Sequence, residues 1–133
     1  MNSHPPSLSA AVEALQRALD RHAAKRKLPT YSDGEDLCGL SRDVWNAFEK
    51  LMLESPREVG REIQKPIELL SAAISVVERI IPPSGASDDD REKRRRLPSF
   101  LNAMRERLDD LQVRKRDGET AFRRRAFADL TPA

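Results

Sequence analysis

The sequence predicts an all-α protein, and three observations support that class. Hydrophobic residues make up 38% of the 133-residue chain and charged residues 35%, but aromatic residues only 5%. Helix-forming residues are abundant, while runs of the β-branched and aromatic residues that favour strands are few. Hydrophobic residues recur instead at steps of three and four, which places them on one face of a helix. We therefore predict a four-helix bundle with a kinked central third helix and a long basic C-terminal helix.

The chain is long enough for one domain with its own core. The first helix is predicted at about residues 8–27. Its apolar stripe consists of Leu8, Val12, Leu15, Leu19 and His22. Pro29 disfavours helical geometry in the residue before it, so "PTYSDG" is predicted to be a loop. We expect a flexible N-terminal tail at residues 1–7, a single helical-bundle domain at residues 8–127 and a C-terminal tail at residues 128–133.

The second helix is predicted at residues 33–54. It begins at "SDGE", which matches a capping box. In such a box the Ser32 hydroxyl accepts a hydrogen bond from the backbone three residues on, and Glu35 reaches back to the Ser32 amide. The apolar stripe consists of Leu37, Leu40, Val44, Phe48 and Leu51, widened by Trp45 and Met52.

The third helix is predicted at residues 56–81. Its start, "SPRE", offers Ser55 as the cap, Pro56 at the first helical position and Glu58 to close a capping box. So broad an apolar face predicts the central and most buried helix. Pro66 lies inside this helix and removes one backbone hydrogen bond, so we expect a bend in the four residues before it.

The fourth helix has two candidate starts. Ser87 is suited to cap a helix whose first turn holds Asp88, Asp89 and Asp90, since acids suit the positive end of the helix dipole. Alternatively, a short charged segment precedes a longer helix that begins near Pro98. In both cases the helix is predicted to run to about residue 127.

The apolar stripe of this helix has heptad spacing and consists of Leu97, Leu101, Met104, Leu108 and Leu111. Lys115 and Gly118 interrupt the stripe before Phe122 and Ala126 resume it, so we expect the last turns to leave the bundle. A coiled-coil seam of this kind also supports self-association.

Charge is distributed unevenly along the chain, although its total is only +2. Residues 1–90 hold 11 bases and 15 acids, whereas residues 91–133 hold 13 bases, eleven of them Arg, and 7 acids. On a helical wheel the arginines from Arg105 to Arg116 lie beside the apolar stripe, and the acids lie behind it. This pattern is typical of a helix that packs against acidic neighbours.

Two clusters of consecutive bases are the candidate binding sites, because one acidic neighbour cannot pair with bases that point all round a helix. The planar guanidinium suits bidentate contacts with carboxylate or phosphate, and phenylalanine suits a partner's groove or an unpaired base. The candidates for phosphate binding are Lys93, Arg94, Arg95 and Arg96 in "KRRR" and Arg123, Arg124 and Arg125 in "FRRRAF". The candidates for partner binding are Phe122, Arg123, Arg124, Arg125 and Phe127.

These features predict a non-enzymatic helical interaction protein, a small subunit or adaptor, whose C-terminal helix engages a protein partner or a second copy of the chain. The alternative is a nucleic-acid-binding accessory subunit that uses its arginine clusters on phosphates. The near-neutral total charge counts against this alternative, while the opposite signs of the two parts of the chain favour it.

We expect no enzymatic activity, no cofactor and no metal. The sequence lacks a Gly-rich phosphate loop and a Glu-x-x-His pair. Cys38 and His22 are the only conceivable nucleophile and base, and a lone cysteine on an amphipathic helix is more often a small core residue. The three aspartates of residues 88–90 lack the glycine and glutamate of a calcium loop.

An intracellular location is expected, because the sequence shows no secretory signal pattern and has a single cysteine. We expect the cytoplasm, or the nucleus in a eukaryote, since "KRRR" fits an import pattern. The longest uncharged stretch, "LLSAAISVV", is far shorter than the roughly 20 residues that cross a bilayer. Acids on the back of the C-terminal helix also disfavour a membrane surface.

Overall fold

A computed structural model describes the backbone of residues 7–130 and the side chains of residues 7–118. Within this part of the chain every regular element is helical, and five α-helices pack together, which confirms the all-α class. The helices are α1 (Leu8–Lys25), α2 (Tyr31–Glu54), α3 (Val59–Glu62), α4 (Gln64–Glu78) and α5 (Asp88–Leu130), with a 3₁₀ turn at Pro56–Glu58.

Helix α1 has the predicted start and ends two residues before the predicted end. Ser7 caps it, since its hydroxyl accepts a hydrogen bond from the Ala10 amide at 3.2 Å. The helix stops where Arg26 adopts a left-handed backbone conformation with φ of 50°. Its amide then bonds to the Ala23 carbonyl, which satisfies an acceptor that the last turn leaves open.

The capping box of α2 lies two residues earlier than predicted, so the prediction of Ser32 and Glu35 was wrong. The Thr30 hydroxyl accepts from the Asp33 amide at 3.2 Å, and the Asp33 carboxylate accepts from the Thr30 amide at 2.8 Å. Both sequence positions satisfy the box pattern. The earlier start places Tyr31 in the helix, where its ring packs 5.6 Å from that of Phe100 on α5.

The predicted third helix is divided into three segments. Ser55 makes no capping hydrogen bond through its side chain, so the predicted capping box was wrong, and Pro56 opens a 3₁₀ turn instead. Ile63 separates α3 from α4. Pro66 has no amide hydrogen to donate, and α4 accommodates it in the first turn, where none is needed.

Helix α5 is 43 residues long, about 64 Å at 1.5 Å per residue. It uses the first of the two predicted starts, because the Ser87 hydroxyl accepts from the Asp90 amide at 3.1 Å. The helix continues through Pro98. Pro98 is exposed, so water can reach the carbonyl of Arg94, which loses its helical donor.

The heptad stripe of α5 forms part of the core. Leu97, Met104 and Leu111 are buried, and Leu101 and Leu108 pack against them from the edge. The same core contains the large, fully buried side chains Leu15, Phe48 and Leu70 of the other helices. The stripe from residue 97 to residue 111 therefore packs within one chain. If the stripe supports self-association, it does so through residues after 111.

The start of α2 makes a close approach to its neighbours at Gly34. A Cβ atom at this buried position would lie 2.7 Å from Ile80 Cδ1 and 3.8 Å from Leu97 Cδ2. The contact with Leu97 is an ordinary one, so the missing side chain chiefly leaves room beside α2 for the end of the Ile80 side chain. Gly39 in the same helix has open space at its Cβ position.

Replacing Gly34 with valine should therefore destabilise the protein by about 1–3 kcal/mol through overpacking. The same substitution at Gly39 is the control and should change stability by less than about 0.5 kcal/mol, because a helix tolerates valine slightly better than glycine. Urea unfolding of both variants measures the difference. Equal unfolding midpoints of the two variants would show that the close approach at Gly34 does not affect stability.

Candidate interaction surfaces of the C-terminal helix

The cluster Lys93 to Arg96 makes contacts within the protein, beginning with its two ends. Lys93 Nζ lies 3.1 Å from the Asp89 carboxylate and 5.4 Å from the centroid of the Tyr31 ring. Arg96 lies 4.0 Å from the Glu35 carboxylate on α2. Its guanidinium also lies 5.5 Å from the ring centroid of Phe100. Both side chains thus join the start of α5 to the first turns of α2.

Arg94 is the most constrained member of the cluster. It is half-buried, and its guanidinium donates to the carbonyls of Pro83 at 2.7 Å and Gly85 at 2.6 Å. Both carbonyls belong to the connection between α4 and α5, which has no regular secondary structure. Arg94 therefore supplies donors to backbone groups that no helix satisfies.

Arg95 points to solvent and pairs only with Glu92 one turn earlier, at 2.6 Å. The hydrogen bond from Arg95 lowers the pKa of Glu92, and the same bond raises the pKa of Arg95. In the same way, the hydrogen bond to Asp89 raises the pKa of Lys93. All three groups are solvent-exposed, so these pairs are screened by salt and contribute little to stability.

The four bases of residues 93–96 were predicted as one candidate phosphate site, but in the structure they make different contacts. Arg94 bonds to a loop, Lys93 and Arg96 contact α2, and Arg95 remains the most exposed at 75%. Every member of this cluster already has a partner within the chain. A phosphate would have to compete with these contacts at all four positions, and at Arg95 only with the exposed pair to Glu92.

The neighbours Arg94 and Arg95 allow a matched comparison of how much these contacts contribute to stability. Arg94→Ala should destabilise the protein by about 1–3 kcal/mol, because it leaves two partly buried carbonyls without their charged donor. Arg95→Ala should cost less than about 0.5 kcal/mol, since exposed pairs one turn apart are weak. Thermal or urea unfolding measures both. A loss for Arg95→Ala as large as that for Arg94→Ala would contradict this division.

The middle of α5 is joined to α2 by a half-buried polar network around Asp110. The Trp45 indole donates to the Asp110 carboxylate at 2.8 Å, and Arg114 donates to the same carboxylate at 2.9 Å. Arg114 also pairs with Glu49 and contacts the sulfur of Met52, both on α2. The network joins the two helices in one register, since it holds Asp110 and Arg114 of α5 against Trp45, Glu49 and Met52 of α2.

Other arginines at the edges of the α5 stripe also contact neighbouring helices. Arg105 lies 3.7 Å from Glu78 at the end of α4, and Arg107 donates to the Cys38 carbonyl at 3.4 Å. Arg105 thus meets an acidic neighbour, as expected of bases that flank a packed stripe, whereas Arg107 meets a backbone carbonyl. The sequence did not reveal the role of Trp45, although a buried indole usually requires an acceptor.

Asp110 and its neighbour Asp109 form a second matched pair. Asp110→Ala should destabilise the protein by about 1–3 kcal/mol, because it removes the acceptor of Trp45 and one partner of Arg114. Asp109 is exposed, and Asp109→Ala should cost less than about 0.5 kcal/mol. Trp45 is the only tryptophan, so its fluorescence reports unfolding in urea directly. Coincident transitions of the two variants would contradict a stabilising network.

The second candidate cluster, Phe122 to Phe127, lies outside the residues whose side chains the structure describes. Its backbone belongs to α5, which continues to Leu130. The last described side chains before it, Arg116 and Asp117, are exposed, as is Gly118. An open cleft of about 480 Å³ lies beside this region, lined by Gln64, Ile67, Asp109, Gln112, Lys115 and Arg116.

A second cleft, of about 460 Å³, lies between α1 and α2 and has both acids and bases on its walls. One wall holds His22, whose exposed fraction is only 8%. Its Nδ1 lies 3.9 Å from the Asp33 carboxylate, and its Nε2 lies 3.5 Å from the Arg79 guanidinium. These contacts join α1, α2 and the end of α4, so His22 acts as a polar member of the packing.

Two further observations concern metal binding and the crossing of a membrane. Among residues 7–118, no three side chains of the ligating types lie close enough together to hold a metal ion. No helix in the described part of the chain combines the length and the apolar character that crossing a bilayer requires.

Comparison with known proteins assigns no family to this chain. No family model matches it, no curated protein matches it, and no solved structure matches its fold.

Proposed function

We propose that this chain is a non-enzymatic interaction protein, a small subunit or adaptor, and that the end of α5 engages a protein partner, a second copy included. The observation that carries the proposal is the length of α5, which has 43 residues against 24 in α2. Arg114 lies beside Glu49 and Met52, near the end of α2 at Glu54. About twelve residues of α5 thus follow the last turn of α2.

The sequence of this segment suits a contact surface. Phe122 and Phe127 flank three arginines, and aromatic residues and arginine are the commonest energetic anchors of interfaces. The segment continues a helix that the bundle already holds, so binding through it requires little ordering of the backbone. We propose an intracellular setting, which suits a chain with one cysteine.

We propose that the bundle holds α5 in place and that it is a four-helix bundle, in which residues 56–81 act as one kinked third helix. Ile63, at the break, keeps helical dihedral angles. Its amide bonds to the Val59 carbonyl, and its carbonyl accepts from Ile67, so the helical hydrogen bonds bridge the break.

The alternative function is nucleic-acid binding through phosphates. One observation favours it: eleven of the thirteen bases after residue 90 are arginines, three of them consecutive at residues 123–125. Since Lys93 to Arg96 have partners within the bundle, residues 123–125 would carry most of the phosphate contacts.

Affinity capture with the full chain as bait tests the leading proposal. Proteins retained from an extract of the source cells should be lost at least tenfold with Phe122→Ala, as expected for an interface anchor worth about 2 kcal/mol. Leu53→Ala is the control, because Leu53 is 85% exposed and lies outside the segment. Retention that is unchanged by Phe122→Ala contradicts the proposal.

Fluorescence anisotropy with single- and double-stranded oligonucleotides decides the alternative. Phosphate contacts predict binding at about 50 mM salt that falls by orders of magnitude at about 200 mM. Replacing residues 123–125 by glutamate should then abolish binding. Binding that persists in that variant, or no binding at low salt, excludes the phosphate function.

A further inference from the structure

The residues that share a helix face with Phe122 show a symmetric pattern of charge and size on its two sides. In a helix, the positions that share a face with Phe122 lie three, four and seven residues away on either side. The N-terminal members are Glu119, Gly118 and Lys115, and the C-terminal members are Arg125, Ala126 and Asp129. Each member on one side thus has a complement at the same distance on the other side: acid and base, small and small, base and acid.

Such a pattern distinguishes between the two ways in which a helix can pair with a second copy of itself. In a parallel pair each residue faces its own copy, so Glu119 would oppose Glu119 and Arg125 would oppose Arg125. In an antiparallel pair about Phe122, Glu119 faces Arg125 of the second copy, and Lys115 faces Asp129. Like charges in contact weaken a pair and opposite charges support it, so the antiparallel arrangement is favoured.

Of the two described members of this face, Gly118 is open and Lys115 contacts α4. Gly118 is exposed, and no atom lies within 4 Å of the position that a Cβ would take. Gly118 and Ala126 would meet where two helices cross, and small residues allow the backbones to approach closely. Lys115 donates to Gln64 at 2.6 Å across the surface of α4, so its aliphatic stem covers the edge of the bundle.

The cleft beside α4 lies where the end of the second helix would arrive. In the antiparallel register, residues 128–130 of the second copy face residues 114–116 of the first. Lys115 and Arg116 line the cleft of about 480 Å³, together with Ile67 of α4.

From this symmetry and this cleft we infer that two copies of the chain pair antiparallel through residues 115–130 of α5, with the two-fold axis at Phe122. The inference rests on the proposed function, because it names the second copy as the occupant of the same segment. Two short helical segments form an interface below about 1,200 Å², at the low end of specific interfaces, so the dimer dissociates on dilution.

A charge-reversal cycle tests the inference by sedimentation velocity over about 10–200 µM chain. The unmodified chain should show a dimer whose fraction rises with concentration. Arg125→Glu places like charges together at both symmetric contacts and should raise the dissociation constant roughly five- to tenfold. Adding Glu119→Arg to that variant restores opposite charges and should return the constant to within about twofold.

Arg42→Glu is the matched control, since Arg42 is an exposed base on α2 and lies outside the paired segment; it should change the constant by less than about twofold. Circular dichroism shows whether each variant keeps its helix content, and recovery in the double variant itself excludes a folding defect. A chain that stays monomeric at the highest concentration, or a double variant that fails to recover, overturns the inference.

The same results separate this inference from the proposed function. A monomeric chain that still captures a protein through Phe122 overturns the antiparallel pair alone. A dimer that survives deletion of residues 119–133 overturns the antiparallel pair, and the capture experiment with Phe122→Ala then decides the proposed function independently.

Discussion

The packing of one stripe of α5 against α2 and α4 is the constraint on which the structure depends. Leu97, Met104 and Leu111 are buried over almost four turns, so α5 can lie in only one rotation about its axis. Gly34 leaves room for Ile80 beside α2 at one end of this stripe, and the network around Asp110 joins α2 and α5 further along. Everything that the end of α5 presents follows from this fixed rotation.

Several arginines of α5 contact other parts of the same chain. Arg94 donates to a loop, Arg96 lies near Glu35, and Arg114 pairs with Glu49. The acidic excess of the first 90 residues thus meets the basic excess of the last 43 within one chain. Part of the charge of the arginine-rich segment is therefore balanced by contacts within the bundle.

Features of the fold that depend on hydrophobic periodicity could be predicted from the sequence. A helix start could not be predicted where two capping patterns compete. The all-α class and the stripe of α5 follow from spacing, and Ser87 was one of two predicted starts of α5, which its capping hydrogen bond decides. The start of α2 could not be predicted, because Thr30 with Asp33 and Ser32 with Glu35 fit the same box, and the contact of Tyr31 with Phe100, which the earlier start allows, is tertiary. The partners of Arg94 are loop carbonyls, which no side-chain pattern reveals.

The long helix also has a physical explanation in helix formation itself. An isolated segment of about 15 residues is marginally helical in water, because the first turn is costly to form. Residues 116–130 avoid this cost, since the packed part of α5 serves as their nucleus and each further residue adds only a propagation step. Alanine and arginine favour propagation and Gly118 opposes it. A contact along Phe122 would thus stabilise a helix that the bundle has already started, and the bundle and the surface depend on each other.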